Sequence, residues 1–209
     1  VLANLRKQPV DILLWANGPI DHALADGCVY FHEHAFNCGQ HVAHNEMLDE
    51  CVRRGYDWHI RIDDDCFINS RTWTRKLLGM QEHIKEIRGK YAVLGINVGG
   101  LYDPPQAIRA FEVAPGKTDG GIFELVEMLG GIFRMSPMYL MRYFRWDERQ
   151  AMGFGDATQF RSFCESTDTI MFRIRTIHAT HGESTQKQNE KSPDWSHSHD
   201  MLQYIPLGL

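Results

Sequence analysis

The chain reads as an α/β protein in which helices cover a mainly parallel sheet. Three observations predict this. Short apolar runs with strand-like alternation are separated by segments whose apolar residues recur at helical spacing. Their order is roughly β-β-α-β-α-β, then a loop, then β-α-α-β, the pattern of crossover connections. The composition, 43% hydrophobic and 23% charged over 209 residues, is that of a globular chain. That length suits one α/β domain, with room for a small appendage.

Val10 to Trp15 is an apolar run ended by Asn17-Gly18-Pro19, a strand and its turn. Val29 to Phe31 supplies a second strand. Ala43, Met47 and Cys51, with Leu48 and Val52 beside them, share one helical face, and Gly55 marks the stop. Trp58, Ile60 and Ile62 alternate with His59 and Arg61, a strand that runs into Asp63-Asp64-Asp65. Ser70 is the expected N-cap of the next helix. Its apolar stripe is Trp73, Leu77, Met80, Ile84 and Ile87. Tyr91 to Ile96 is the following strand, and residues 99 to 121, rich in Gly and Pro, are expected to form a long loop. Ile132 to Met135 is a short strand. Ser136-Pro137 reads as N-cap and first-turn proline of a helix through about Phe144. A further helix is expected from Asp156 to Cys164 and a long strand from Ile170 to Ile177. Beyond Gly182 the chain turns polar. The boundaries expected are therefore a domain over 1–185 and a polar tail or active-site flap over 186–209.

The formal net charge of -5 leaves no broad cationic surface, which argues against nonspecific nucleic-acid binding. Five scattered cysteines without a CxxC pair argue against a zinc ribbon. Free thiols in a reducing, cytoplasmic compartment are the simplest reading. No apolar run approaches the roughly 20 residues that span a bilayer. No signal peptide is visible, although the chain opens on Val1 rather than Met, so that absence carries little weight.

Three adjacent carboxylates at a strand end repel one another and are costly to hold without a cation. Alternation points Asp63 and Asp65 the same way and Asp64 the other. Such a pair suits a hard divalent ion, which prefers oxygen ligands and keeps water or phosphate in its shell. An exposed acidic turn, helped by Asn69 and Ser70, is the bland alternative.

The stretch from Asn37 through Gly39 and Asn45 to Asp65 resembles the core of GT-A glycosyltransferases, and within them the large inverting family 2. Those proteins carry an Asn-x-Gly segment, a helix with Ala and Asn, and a strand ending in a DxD-type motif. Gly130-Gly131-Ile-Phe-Arg-Met-Ser136 resembles the family's Gly-Gly segment before the acceptor helix. Trp146 and Gly153-Phe-Gly-Asp156 resemble the region of the catalytic carboxylate. His178-Ala-Thr-His181 resembles the late strand whose His completes the metal site. The likeness covers roughly residues 5 to 185, and it rests on the order and spacing of motifs. It departs from the family in two places. The family's first strand would precede Val1, and the usual Glu-Asp pair is here Gly155-Asp156.

The resemblance implies a GT-A, Rossmann-like sheet and transfer of a sugar, with inversion, from a nucleotide-diphosphate sugar to an acceptor hydroxyl. The donor would be a UDP- or GDP-sugar; the acceptor, a glycan, lipid, protein or modified nucleic acid. It assigns Asp65 to Mn²⁺ or Mg²⁺ and Asp63 to the ribose or the ion's water shell. His178 or His181 is the remaining ligand, with His181 favoured at the strand end. Asp64, Asn37, Gly130 and Gly131 are assigned to the donor, and Asp156 to general-base work. Asp156 also reads as an N-cap. Trp146 is a stacking surface for the acceptor or, equally, a core residue. Asn45 is read as structural. His197 and His199, with Asp194 and Asp200, belong to a solvated tail or a flap over the nucleotide.

Two other classes compete. A nucleotidyltransferase or metal hydrolase would also use an acidic cluster, but the first usually carries a Gly-rich basic loop and the second more metal ligands. A noncatalytic carbohydrate-binding domain of the same shape would tolerate loss of the Glu in the Glu-Asp pair. Metal-dependent turnover of a nucleotide sugar separates that reading from an enzyme.

Overall fold

The computed structural model describes residues 1–63, 65–99, 107–113, 121–149, 156–181 and 202–207. Helix α1 (Leu2–Leu5) leads into strand β1 (Asp11–Ala16), followed by β2 (Tyr30–Glu33), α2 (Gln40–Arg54), β3 (Trp58–Asp63) and the short β4 (Cys66–Ile68). Next come α3 (Trp73–Arg88), β5 (Val93–Gly99), β6 (Ala107–Val113), β7 (Gly121–Val126) and β8 (Phe133–Pro137). The chain closes with α4 (Met138–Met141), α5 (Asp156–Ser166), β9 (Met171–His181) and β10 (Leu202–Leu207).

The strands form one sheet in the order β2-β1-β10-β3-β8-β5-β9-β7-β6, with β4 paired to β9. The α/β class is as expected, but the sheet is mixed rather than mainly parallel. Among the described residues only β1–β2 and β5–β9 pair in parallel. The other seven pairings are antiparallel. The reason is that β10 and β8 each lie between two strands and run against both. Two reversals restore direction, so β1, β2, β3, β5 and β9 still point the same way. Their carboxyl ends share one edge of the sheet, which is where such sheets gather ligands.

Four local expectations change. Residues 107–113 are not loop but strand β6, paired antiparallel with β7. Flanking Gly and Pro hid its short alternating pattern. Pro137 ends β8 in an extended conformation and caps a helix of one turn, not one reaching Phe144. Thr72, not Ser70, is the N-cap of α3, and the Ser70 hydroxyl accepts from the Thr72 N–H at 3.3 Å. Residues 202–207, expected in a polar tail, are a strand between β1 and β3. Helix α2 ends as expected at Gly55, whose left-handed φ of 73° lets its N–H reach the Cys51 and Val52 carbonyls.

Helices cover both faces. Ile12, Leu14, Ile60, Ile62, Leu94 and Phe133 pack with Trp73, Leu77 and Met80 of α3. Leu13, Trp15 and Val93 pack with Ala43, Met47 and Leu48 of α2, and with Phe144, Trp146 and Phe160. Strand alternation divides β3 the same way. Ile60 and Ile62 face α3, and His59, Arg61 and Asp63 face the α2 side.

That second face of β3 is polar yet buried. His59 is 2% exposed and Arg61 1%. Across the β3–β8 ladder His59 stands opposite Ser136, and Arg61 opposite Arg134, itself 2% exposed. The Arg134 guanidinium lies over the Phe160 ring, 4.2 Å from its centroid, which offsets part of the cost of burying the charge. Neither ring nitrogen of His59 has a hydrogen-bond partner among the described residues. Burial first, then the Arg134 and Arg61 charges, lowers its pKa from 6.5 to about 3.

The folded protein therefore keeps His59 neutral where the unfolded chain protonates it. The stability held by the neutral ring is fully present above about pH 6.5 and is lost as pH falls towards about 3. Each pH unit in that window is worth up to about 1.4 kcal/mol, so pH 5 should cost about 2 kcal/mol relative to pH 7. His59→Leu should remove that component. Thermal melting of both proteins at pH 7 and pH 5 measures it, and an equal loss in the two would show that His59 does not carry it.

Candidate functional site

The acidic cluster sits at the shared carboxyl edge. Asp63 is the last residue of β3, and its N–H donates to the Ile132 carbonyl at 2.9 Å. Its Oδ1 accepts from Nε of the buried Arg61 at 3.1 Å. The two residues lie two apart on one strand, so alternation brings both to the same face. Asp65 stands in the turn between β3 and β4 and is half-buried. Asp64 lies outside the described residues. Burial, with Asp63 and then Asp65 adding, pushes the Cys66 thiol up to about 12. Both carboxylates are thus within electrostatic reach of one buried sulfur.

Strand β9 brings its end to the same turn. His181 pairs in register with Cys66, the residue after Asp65. His178 lies three residues back, about 10 Å along the strand. Its Nδ1 meets the Asn97 side-chain amide at 3.1 Å, and its carbonyl accepts from the Asn69 N–H at 3.0 Å. The backbone therefore sets His181, not His178, against the acidic turn.

Gly130 and Gly131 reach this edge through Ile132, whose carbonyl holds the Asp63 amide. A Cβ on Gly130 would meet nothing within 4 Å, so open space lies above that backbone. What fixes the loop is its neighbour. Leu129 is 4% exposed, and a Cβ on Gly95 of β5 would lie 2.4 Å from Leu129 Cδ2. Gly95 leaves the space that seats Leu129 on the sheet, and Leu129 in turn fixes where Gly130 and Gly131 fall.

Asn37 lies at the same edge, beyond β2. Its Oδ1 accepts from the Gly39 N–H at 2.9 Å and from the Asn17 side-chain amide at 2.8 Å. Asn17, which follows β1 and is 3% exposed, accepts in turn from the Cys38 N–H at 2.8 Å. The two asparagines thereby fix the turn that opens α2.

The region expected to carry the catalytic carboxylate is divided. Asp156 is the first residue of α5, while Gly153 and Gly155 lie outside the described residues. Trp146 is 3% exposed, 4.5 Å from the Phe144 ring and 4.7 Å from His44. Its surface is consumed by core packing, so the acceptor-stacking alternative does not fit. Asn45 has the structural role expected of it. Its amide bridges the backbone of Trp146, accepting from the N–H and donating to the carbonyl at 3.0 Å each, and holds Glu148 Oε1 at 2.8 Å. His41 Nδ1 donates to the Asp147 carbonyl at 2.8 Å. The Asp147 carboxylate is pushed down to about 2 by Arg149.

A second donor cluster lies on the α2 side of β2. His32, His34 and Glu46 present ligand atoms that all fall within 4.8 Å of one another. The sequence carried a signal for it, since His-x-His at a strand end places two imidazoles on one face. Its third member comes from a helix 12 residues later, which no short motif announces. The tail cluster of His197, His199, Asp194 and Asp200 lies outside the described residues.

Compared with family models, the chain matches none, and no curated protein matches it in sequence. All five cysteines are free. No helix among the described residues is long and apolar enough to cross a membrane.

The Gly95–Leu129 contact gives a direct test of how the edge is assembled. Gly95→Ala should force Leu129 out of its seat and destabilise the protein by about 1–3 kcal/mol, the usual cost of overpacking. The double variant Gly95→Ala/Leu129→Ala should lose less stability than the sum of the two single losses if the contact is real, and the denaturant midpoints of the two single variants and the double variant measure the coupling. Strict additivity would show that the two residues do not touch.

Proposed function

We propose that the chain is a metal-dependent, inverting glycosyltransferase of GT-A type, which moves a sugar from a nucleotide-diphosphate donor to an acceptor hydroxyl. One observation carries the reading. Asp63 with Asp65, the Gly130-Gly131 segment and the His181 backbone come from three distant parts of the chain and meet at one carboxyl edge of the sheet. An acidic turn of no functional consequence has no need of the other two.

The donor set fits a hard divalent ion, because two half-buried carboxylates supply oxygen ligands and leave positions for water and phosphate. Asp65, with Asp63 and His181, would hold Mn²⁺ or Mg²⁺, which would supply neutralising charge for the departing diphosphate. His178 fits less well, since its ring is turned to Asn97. Asp64, Asn37, Gly130 and Gly131 border the donor in this reading, with UDP- or GDP-sugars as the class. Asp156 accepts the acceptor hydroxyl's proton as that oxygen attacks the anomeric carbon and the diphosphate leaves from the opposite side. Arg61 keeps Asp63 in place from beneath. Nothing assigns the acceptor, and Trp146 is withdrawn from it. The free cysteines support a cytoplasmic setting.

Calorimetry with UDP and GDP should show binding in Mn²⁺ that is lost in EDTA. Asp65→Asn should weaken this binding more than Asp64→Asn, and it spares the Arg61 partner that Asp63→Asn would remove. Equal affinity with and without EDTA removes the metal from the reading. Asp156→Asn should cost about 10²- to 10⁴-fold in kcat while donor affinity stays near wild type. Asn keeps the shape of the side chain in the first turn of α5, so the melting temperature should change by little, within the modest size of a charge–dipole effect at a helix start. Wild-type turnover in that variant would transfer attention to Glu148, which Asn45 holds in place.

A further inference from the structure

We infer that His32, His34 and Glu46 form a second metal site, of the borderline-soft kind that zinc prefers, separate from the acidic cluster. It stands independently of the transferase reading. The three side chains come from the end of β2 and the second turn of α2. His32 and His34 are two apart, so both rings project to the α2 side, with centroids 4.6 Å apart. Glu46 meets them there: its Oε2 lies 2.8 Å from His34 Nε2 and 4.0 Å from His32 Nε2. Bonds of about 2.0–2.1 Å in a tetrahedron separate ligand atoms by about 3.3 Å, so the observed separations straddle what the ion requires. Small rotations of two side chains close the set.

The surroundings support a ligand set rather than a chance ion pair. Trp15 Nε1 donates to Glu46 Oε2 at 3.0 Å, and the Trp15 ring lies 4.9 Å from that of His32. A buried indole thus fixes the carboxylate and backs one imidazole, the kind of support that holds metal ligands in orientation. The His34 N–H is bonded to the Ala16 carbonyl at 2.9 Å, so the strand itself is pinned. His34 has 17% of its side chain exposed, His32 38% and Glu46 41%. That leaves an outer position for water or a small ligand, as in three-ligand zinc sites. Two imidazoles and one carboxylate suit Zn²⁺ far better than Mg²⁺. The acidic cluster has the opposite preference, and it lies three inter-strand steps away, about 14 Å.

The test is calorimetric titration of the whole chain with Zn²⁺ alone, at neutral pH. The expected result is one saturable equivalent that survives in Asp65→Asn and in Cys38→Ser and disappears in His34→Ala and in Glu46→Gln. Circular dichroism checks that each variant is folded. The absorption spectrum of Co²⁺ bound to the unaltered protein is a second reading that needs no variant. It should show ligand-field bands without a thiolate charge-transfer band. Absence of saturable Zn²⁺ binding overturns the proposal. So does binding that persists in His34→Ala and Glu46→Gln, that vanishes in Asp65→Asn or Cys38→Ser, or that brings a thiolate band.

Discussion

The carboxyl edge of this sheet depends on the Arg61–Asp63 pair. Arg61 is almost wholly buried on the α2 face of the central strand, and directly across the ladder stands a second buried guanidinium, Arg134. Like charges opposite one another in a sheet are unfavourable, and burial strengthens every uncompensated charge. Asp63 supplies the opposing charge at the end of the same strand, and Phe160 and Trp146 lie against Arg134. His59 completes the layer only by staying neutral. The acidic cluster is consequently not an isolated negative turn. It is the exposed end of a buried charged layer, and its first carboxylate is oriented from below before any ligand arrives.

Helix α2 does comparable work on the neighbouring strands. Several of its polar residues are buried rather than solvated: His41 and His44 are each 1% exposed and Asn45 6%. Asn45 and His41 bind the backbone of 146–147, and Glu46 accepts from Trp15 on β1. One helix therefore positions both the segment that leads to Asp156 and the histidine cluster on β2. Its placement is set by Ala43, Met47 and Leu48 packing on Leu13 and Trp15, an ordinary apolar contact with chemical consequences at two places.

Much of this was legible in the sequence, and the losses have physical causes. The helices α2 and α3 follow from apolar period, because each buries one continuous face, and the strands β1, β3 and β8 from short apolar or alternating runs that suit burial on both sides. Gly55 as the end of α2 follows from backbone freedom. Strand β10 was not legible: it follows a long polar stretch, and a strand between two others is specified by neighbours the sequence does not name. The same holds for sheet direction. Parallel and antiparallel neighbours bury similar side chains, so β8 could be recognised as apolar but not oriented. At the site, Asp63 and Asp65 were visible as a motif. The His32-His34-Glu46 cluster was not, because its members meet only when β2 and α2 pack.

The two donor sets at one edge differ in a way that coordination chemistry turns into selectivity. The acidic turn offers carboxylates, which favour hard ions that retain water. The β2–α2 cluster offers two imidazoles and one carboxylate, which favour zinc-like ions. Where Mg²⁺ is abundant and Zn²⁺ scarce, the first set would fill by concentration and the second by affinity. The separation also has a structural basis. Strands β1 and β10 stand between β2 and β3, so neither set can borrow a ligand from the other. Asn17 and Asn37 occupy the turn beyond β1 and β2 and are fully engaged with one another and with the start of α2. An ion on the β2–α2 cluster would stiffen that turn, since it would tie the end of the strand to the helix the turn opens. The geometry of the carboxyl edge would then depend on an ion bound away from the acidic turn.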